Sequence, residues 1–498
     1  MTWFRKWLIL VHRYLGIALS FLVVLWFLSG IGMMYAREMP RLTSELRLER
    51  MEPLDFARIR FSPSEAFERA EVRGLPGRFV MLTIGDHPAY RFSGVTFFAD
   101  SGELLDEVSA ADTVAIASRF MRLPPKMMHH VAVPTSADQW TIGQRRQLPL
   151  DKITVDDAAR TELYISGSLA EVVVYTTRAS RALAWVATIP HWLYFAPLRL
   201  NDATWRRVVL WTSGLGAFLA LLGLVLGVIQ FSPLRQFRVS RILSYNPYTG
   251  WMRWHYITGI LFGIFTLTWV FSGMLSMEPW DWASGGGLGA GMRQAMSGGP
   301  LDPSLFPAVP AAAWNQALAG HPAKEVELVR LQGDPYYIVR GATAEPLVLS
   351  AHRLEARREL FSTESILRRV KDASPEAGIV ETRMLSDFDA YYRGRDPKPP
   401  LPVLRIKFDD PDSTWFYIDP SISQPVSRFT RRERLQRWVY HGFHSLDFAF
   451  LYYNRPLWDI VVIALSIGGA ASGAIGLFVG LKRVGRGAKR ATKRLTGR

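Results

Sequence analysis

The sequence predicts a membrane α-helical bundle of four transmembrane helices carrying two external α+β domains, built by tandem duplication. Three observations predict it: four charge-free apolar stretches, two long polar connections between them, and a set of residues that recurs at a constant spacing of 253. The stretches are Leu15–Met34, Val208–Phe231, Ile257–Met277 and Ile460–Leu481. None contains Asp, Glu, Lys or Arg, and each is long enough to cross a bilayer as a helix.

In chain order, residues 1–35 form the first spanning helix and 36–205 the first external domain, which includes the His191 segment. The second span is 206–231, a cytoplasmic loop 232–254, and the third span 255–277. The second external domain, with the His444 segment, is 278–458; the fourth span 459–481 and a basic tail 482–498 complete the chain. Orientation follows from charge. Arg5 and Lys6, then Arg235, Arg238 and Arg241, then the acid-free tail flank the same side of the spans, and positive residues mark the cytoplasmic side. The first apolar stretch lacks a small-residue cleavage site, so it is expected to be retained rather than removed as a signal peptide.

The net charge of +15 does not point to nucleic acid. The basic cluster directly follows a span, where attraction to anionic lipid headgroups accounts for it. The chain has no cysteine, which excludes disulfides, cysteine-ligated iron–sulfur clusters and thioether-linked haem, and leaves histidine as the ligand for any redox centre.

The repeat is explicit. Leu148-Pro149, Ile153, Asp156-Asp157, Thr161 and Tyr164-Ile165 recur as Leu401-Pro402, Ile406, Asp409-Asp410, Thr414 and Tyr417-Ile418. Farther on, His191, Trp205, Gly216, Gly223 and Gly227 recur as His444, Trp458, Gly469, Gly476 and Gly480, while the first and third spans match at a spacing of 243. Each copy reads span, external domain, span. Within the external domains, helical runs are expected at Ser62–Ala70, with a Ser-x-x-Glu capping pattern, and at Pro310–Leu318. Alternating residues predict strands at Phe79–Thr83, Tyr90–Phe98, Leu163–Ile165, Val172–Tyr175, Val326–Leu331, Tyr336–Val339, Leu404–Phe408 and Trp415–Ile418. The Gly- and Pro-rich stretch Ser284–Pro310 reads as a loop over the membrane surface.

The histidines carry the chemistry. His12 and Gly30, like His255 and Gly273, are 18 residues apart, which is five helical turns, or about 27 Å along one helix face. An ionisable ring in a span is a functional candidate by default, and here it is duplicated. The orientation places His12 and His255 near the inner face, and His191 and His444 near the outer face. Two pairs result, suited to bis-histidine ligation of two haem b groups, with one axial imidazole from each copy. Gly16 and Gly259 would clear room for an inner macrocycle and Gly30 and Gly273 for an outer one, although small residues in spans also simply permit close packing. His441, one turn before His444, is an alternative outer ligand, but its repeat partner is Thr188. His129-His130, His87, His321 and His352 read as solvated. Arg13 could meet a haem propionate at the inner face; Arg178 and Arg431, in matched Thr-Arg-x-x-Arg patterns, could do so outside or draw an anionic ferric chelate.

The layout resembles the PepSY-associated transmembrane family. The resemblance rests on the HRYLG and HYITG openings of spans one and three and the Ser-Gly near their far ends. It also rests on the run Tyr391-Tyr392, Pro402, Arg405, Asp409, Thr414, Tyr417-x-Asp419-Pro420 and on His444-Ser445-Leu446 before the last span. The first copy departs from the pattern, with Ser166-Gly167 in place of Asp419-Pro420. The resemblance implies a bacterial inner-membrane protein with two periplasmic PepSY-like domains, of the kind that reduces ferric siderophores. Tyr391, Tyr392, Arg393 and Arg395 are then candidate contacts for the periplasmic acceptor. No G-x-G-x-x-G fingerprint follows a strand, so electrons would come from a membrane quinol or a separate reductase. The competing class is a non-redox anchored binding module that regulates a periplasmic peptidase or senses a ligand. A transporter would need intramembrane carboxylates, which the spans lack.

Overall fold

The computed structural model describes residues 2–36, 38–106, 108–231, 237–239, 242–244, 248–282, 289–342, 345–394 and 398–495. Arg235 and Arg241 of the loop between the second and third spans, Ser284–Leu288 and Arg395 fall outside them. The chain divides into two compact units: residues 1–39, 179–284 and 435–498 form a helical unit, and 40–178 with 285–434 a sheet-rich one.

The helical unit contains four helices long and apolar enough to span a membrane: α1 (Thr2–Ala36), α2 (Asp202–Gln230), α3 (Gly250–Leu275) and α4 (Leu457–Leu495). All four predicted spans are present, each helix starting before its charge-free stretch. α1 packs on α4 and α2, and α3 packs on α2 and α4. The apolar side chains that a soluble protein would bury remain exposed, among them Phe21, Leu28, Trp211, Phe218, Ile264 and Ile467, as expected of helices whose outer surface faces lipid. The two halves share tertiary detail. Ahead of α2 and α4 the chain turns back on itself, and in both places the following tryptophan locks the turn: Trp205 Nε1 donates to the Trp192 carbonyl and Trp458 Nε1 to the Ser445 carbonyl, each at 2.9 Å. Leu193 and Leu446, repeat partners, both adopt a left-handed backbone (φ 50° and 49°) that ends the short histidine-bearing helix. A branched side chain there is held by its surroundings rather than by preference.

In the sheet-rich unit the two connections pair with each other. A six-stranded antiparallel sheet runs in the order 347–350, 334–340, 325–331, 79–84, 87–92, 95–98, and Phe79 faces Leu328 across the junction of the two sequence halves. Each half adds a four-stranded meander: 128–132, 150–155, 162–166, 171–176 and its counterpart 379–385, 403–408, 415–419, 424–429. The main core is aromatic, with Phe79 stacked on Phe92 at 4.5 Å and Phe56 on Trp314 at 4.5 Å. At the junction, Glu325 is 3 % exposed and meets Arg47 (2.8 Å), Arg78 (3.1 Å) and Arg340 (3.3 Å). Burial pushes its carboxyl up, but the three guanidinium groups outweigh that and hold it below the usual glutamate range.

Two sequence expectations change here. The single strand expected over Tyr90–Phe98 is a hairpin, split by Ser93 (φ 50°) and Gly94 (φ 82°); two consecutive positive-φ residues make the two-residue turn that matches strand twist. The stretch Ser284–Pro310 is not a loop throughout. Ala290–Ser297 is helical and buries Met292 and Met296 against the second meander. The capped helix at Pro63–Arg69 forms as read, with the full Ser62/Glu65 capping box, and the partner helix is Ala311–Leu318.

Candidate functional site

The helical unit brings the four paired histidines together two by two. His12 on α1 faces His255 on α3 with ring centroids 6.2 Å apart, and His191 faces His444 at 6.1 Å. Imidazole nitrogen binds a metal at about 2.0–2.1 Å and the ring centre lies ~1.2 Å beyond, so two rings gripping one ion have centroids ~6.4 Å apart. Both pairs stand at that spacing.

Tautomer and orientation are set by the backbone. His191 Nδ1 contacts the Trp26 carbonyl and the Ser29 hydroxyl, both at 3.2 Å; His444 Nδ1 contacts the Trp269 carbonyl at 3.0 Å and the Ser272 hydroxyl at 3.1 Å. These partners are themselves repeat equivalents. At the inner pair His255 Nδ1 faces the Ser472 carbonyl at 3.2 Å. His12 Nδ1 is directed at the repeat-equivalent Leu219 carbonyl without reaching hydrogen-bond geometry. A ring nitrogen facing a carbonyl carries the proton, which leaves Nε2 as the unprotonated, metal-binding atom.

Glycines seat every ring. A Cβ built on Gly30 would lie 3.4 Å from His191 Cε1, and one on Gly273 3.3 Å from His444 Cε1. For the inner pair the seats are on neighbouring helices: a Cβ on Gly223 would lie 3.0 Å from His12 Cε1 and one on Gly476 2.7 Å from His255 Cε1. Gly16 and Gly259 do not touch the rings; they line a cavity of about 250 Å³ around the inner pair, together with Gly216, Gly263, Gly469 and Gly473. Arg13 and Arg483 also line it. Phe27 and Trp269, 5.6 Å apart, lie one turn beyond the cavity residues Val23 and Thr266, and Trp269 Nε1 is buried without a partner. Paired imidazoles with Nε2 left to bind a metal fit axial ligation at both pairs, and at the inner one a glycine-walled cavity with arginines beside it adds room for a macrocycle. Among the described residues no three His, Asp or Glu side chains are arranged to hold a metal ion. His441 is exposed, whereas His444 is partly buried.

The remaining candidates lie in the sheet-rich unit. Arg178 and Arg431 are exposed there. Tyr392 is 1 % exposed, stacks on Tyr417 at 4.9 Å and donates its hydroxyl to the Pro400 carbonyl at 2.7 Å, so it is a core residue and not an acceptor contact. Tyr391 packs edge-on against Trp415 at 5.2 Å, Arg393 is partly buried, and Arg395 lies outside the described residues. Tyr391 and Tyr392 share an anchor in Asp389, which accepts from Tyr391 N, Tyr392 N, Arg405 and Tyr417 at 2.7–2.8 Å. Burial raises that carboxyl, yet these donors bring it below the ordinary aspartate value. Asp138 repeats the arrangement in the first copy, accepting from Trp140 N, Thr141 N and Tyr164. His129 and His130 pair with Asp156 and Asp151, each at 2.6 Å.

Sequence reasoning missed Gly223 and Gly476 as ring seats, Arg483 beside the inner cavity, and the carbonyls of Trp26 and Trp269. The repeat carried the signal for the glycines, which recur at the same spacing as the outer histidines.

A family model described as PepSY-associated TM region matches residues 9–483. No curated protein matches the chain.

Proposed function

The chain belongs to the PepSY-associated TM region family, and from that premise we propose that it is a di-haem electron-transfer protein of the bacterial inner membrane that reduces ferric siderophores. The observation that carries the reading is the matched spacing of the imidazole pairs, 6.2 and 6.1 Å. Haem b bound at each pair would supply one-electron chemistry near either membrane surface.

The chain's own residues provide the rest. His12 with His255 and His191 with His444 offer neutral nitrogens from opposite sides, and the carbonyls behind them fix the ring planes. Arg13 and Arg483 offer donors for two carboxylates beside the inner cavity. Arg5, Lys6 and the basic tail favour a cytoplasmic location for both termini, so that the two connections face the periplasm and the tail meets anionic lipid. A membrane quinol or a separate reductase is the donor. One electron converts chelated Fe³⁺ to Fe²⁺, and the hard-oxygen ligands of a siderophore release the softer ion more readily.

The test uses detergent-purified full-length protein. Dithionite reduction should give sharp α and β bands that bleach on adding a ferric hydroxamate while a ferrous-iron indicator develops colour. A colourless protein from haem-replete cells, or reduced bands indifferent to the chelate, would overturn the reading.

A further inference from the structure

The two copies differ at one place beside the outer pair. Before His444 the chain widens into a π-helix over Arg437–Gly442, whereas the first copy has ordinary helices, Arg178–Val186 and Thr188–Trp192. Isolated π-turns recur at functional positions because they re-aim a side chain. Here the re-aimed side chain is Tyr440. Its ring stacks on His444 with centroids 5.2 Å apart and planes 29° apart.

The first copy lacks this ring, since Ala187 stands for Tyr440. A ring would not fit there, because a Cβ built on Gly32 already lies 2.7 Å from Ala187 Cβ. Among the described residues no other ring stacks on His191 or on the inner histidines. The pairs differ accordingly: the inner imidazole planes are 32° apart and the outer planes 62°.

We propose that Tyr440 is a positioning residue of the outer histidine pair, its stacked ring holding the His444 plane twisted away from that of His191. This rests on the reading of the pairs as axial ligands. The Nδ1 bond to the Trp269 carbonyl fixes where the His444 ring points but not its rotation about that direction; a stacked aromatic removes the remaining freedom. Twisted axial planes bring the iron orbitals that share the unpaired electron closer in energy, which raises the highest g value of the ferric signal. One copy thereby makes the outer centre distinct from the inner one.

Electron paramagnetic resonance of the oxidised full-length protein tests this, with haem content measured on the same samples. Y440L keeps the volume and loses the stack, so the highest g value of the outer signal should fall while the inner signal stays. Y440F should keep the wild-type signal, because its ring still stacks. If Y440L fails to fold, Y440M, unbranched and of similar size, also loses the stack and should shift the outer signal in the same direction. Unchanged outer signals in Y440L or, failing that variant, in Y440M, with two haems bound, would overturn the proposal. A wild-type protein that binds no haem would instead overturn the axial-ligand reading and the proposal with it.

Discussion

Replacing Gly476 by alanine probes the inner pair through a single methyl group. The new Cβ would stand 2.7 Å from His255 Cε1 and 3.2 Å from Nδ1, whereas carbon atoms in contact settle at about 3.5–4.0 Å. The imidazole must therefore recede by roughly 0.8 Å, while ligand distances tolerate only about 0.2 Å. Overpacking of this kind costs about 1–3 kcal/mol, which corresponds to roughly 5- to 150-fold weaker haem binding at the inner pair. The helix itself does not suffer, since alanine is favoured over glycine in a helix interior by about 1 kcal/mol. Gly30→Ala is the internal control: its Cβ would meet His191 Cε1 at 3.4 Å, an ordinary contact. Titrating haem into apo-protein and following the Soret band separates the two. A Gly476→Ala protein that binds both haems as tightly as wild type, or a Gly30→Ala protein that binds worse than it, would refute the packing argument.

His12→Ala and His255→Ala should each abolish about half of the haem and spare the outer centre, as read from pyridine haemochrome content per chain. His444→Ala should remove the outer centre and His441→Ala should not; the opposite outcome would reassign the ligand. In the sheet-rich unit, Glu325→Gln leaves three guanidinium groups without their buried partner and should destabilise by about 2–3 kcal/mol in urea, less than a fully buried pair because the arginines are partly exposed. Because the Glu325 carboxyl is held below its ordinary value of 4.5, the stability it contributes is complete above that pH and is lost as pH falls toward the depressed value. The wild-type and Glu325→Gln unfolding curves should converge in that acid range, and a constant gap would contradict the ion-pair assignment.

The helical unit was legible in the sequence because a span declares itself by composition and a duplication by spacing. Pairing His12 with His255 and His191 with His444 needed only the repeat and the orientation of the helices. Spacing along one helix says nothing about its neighbours, which is why Gly16 looked like the partner of His12 when the ring rests on Gly223 of α2. Tyr391-Tyr392 looked like an exposed aromatic–Arg cluster, yet Tyr392 is buried, because two adjacent side chains of an irregular turn need not alternate between faces. The strand Gln424–Phe429 was missed since Pro425 and Ser427 carry turn signals, and the shared six-stranded sheet since it pairs segments about 250 residues apart in sequence. The π-turn that carries Tyr440 has no composition signature at all.

The central claim is that each imidazole pair grips one iron. Haem quantified against protein in the purified full-length chain, together with its ferric resonance spectrum, tests it most directly. Two low-spin haems per chain, one lost with His255 and the other with His444, is the predicted result. A single haem indifferent to either substitution, or none in a folded protein supplied with haem, would contradict it.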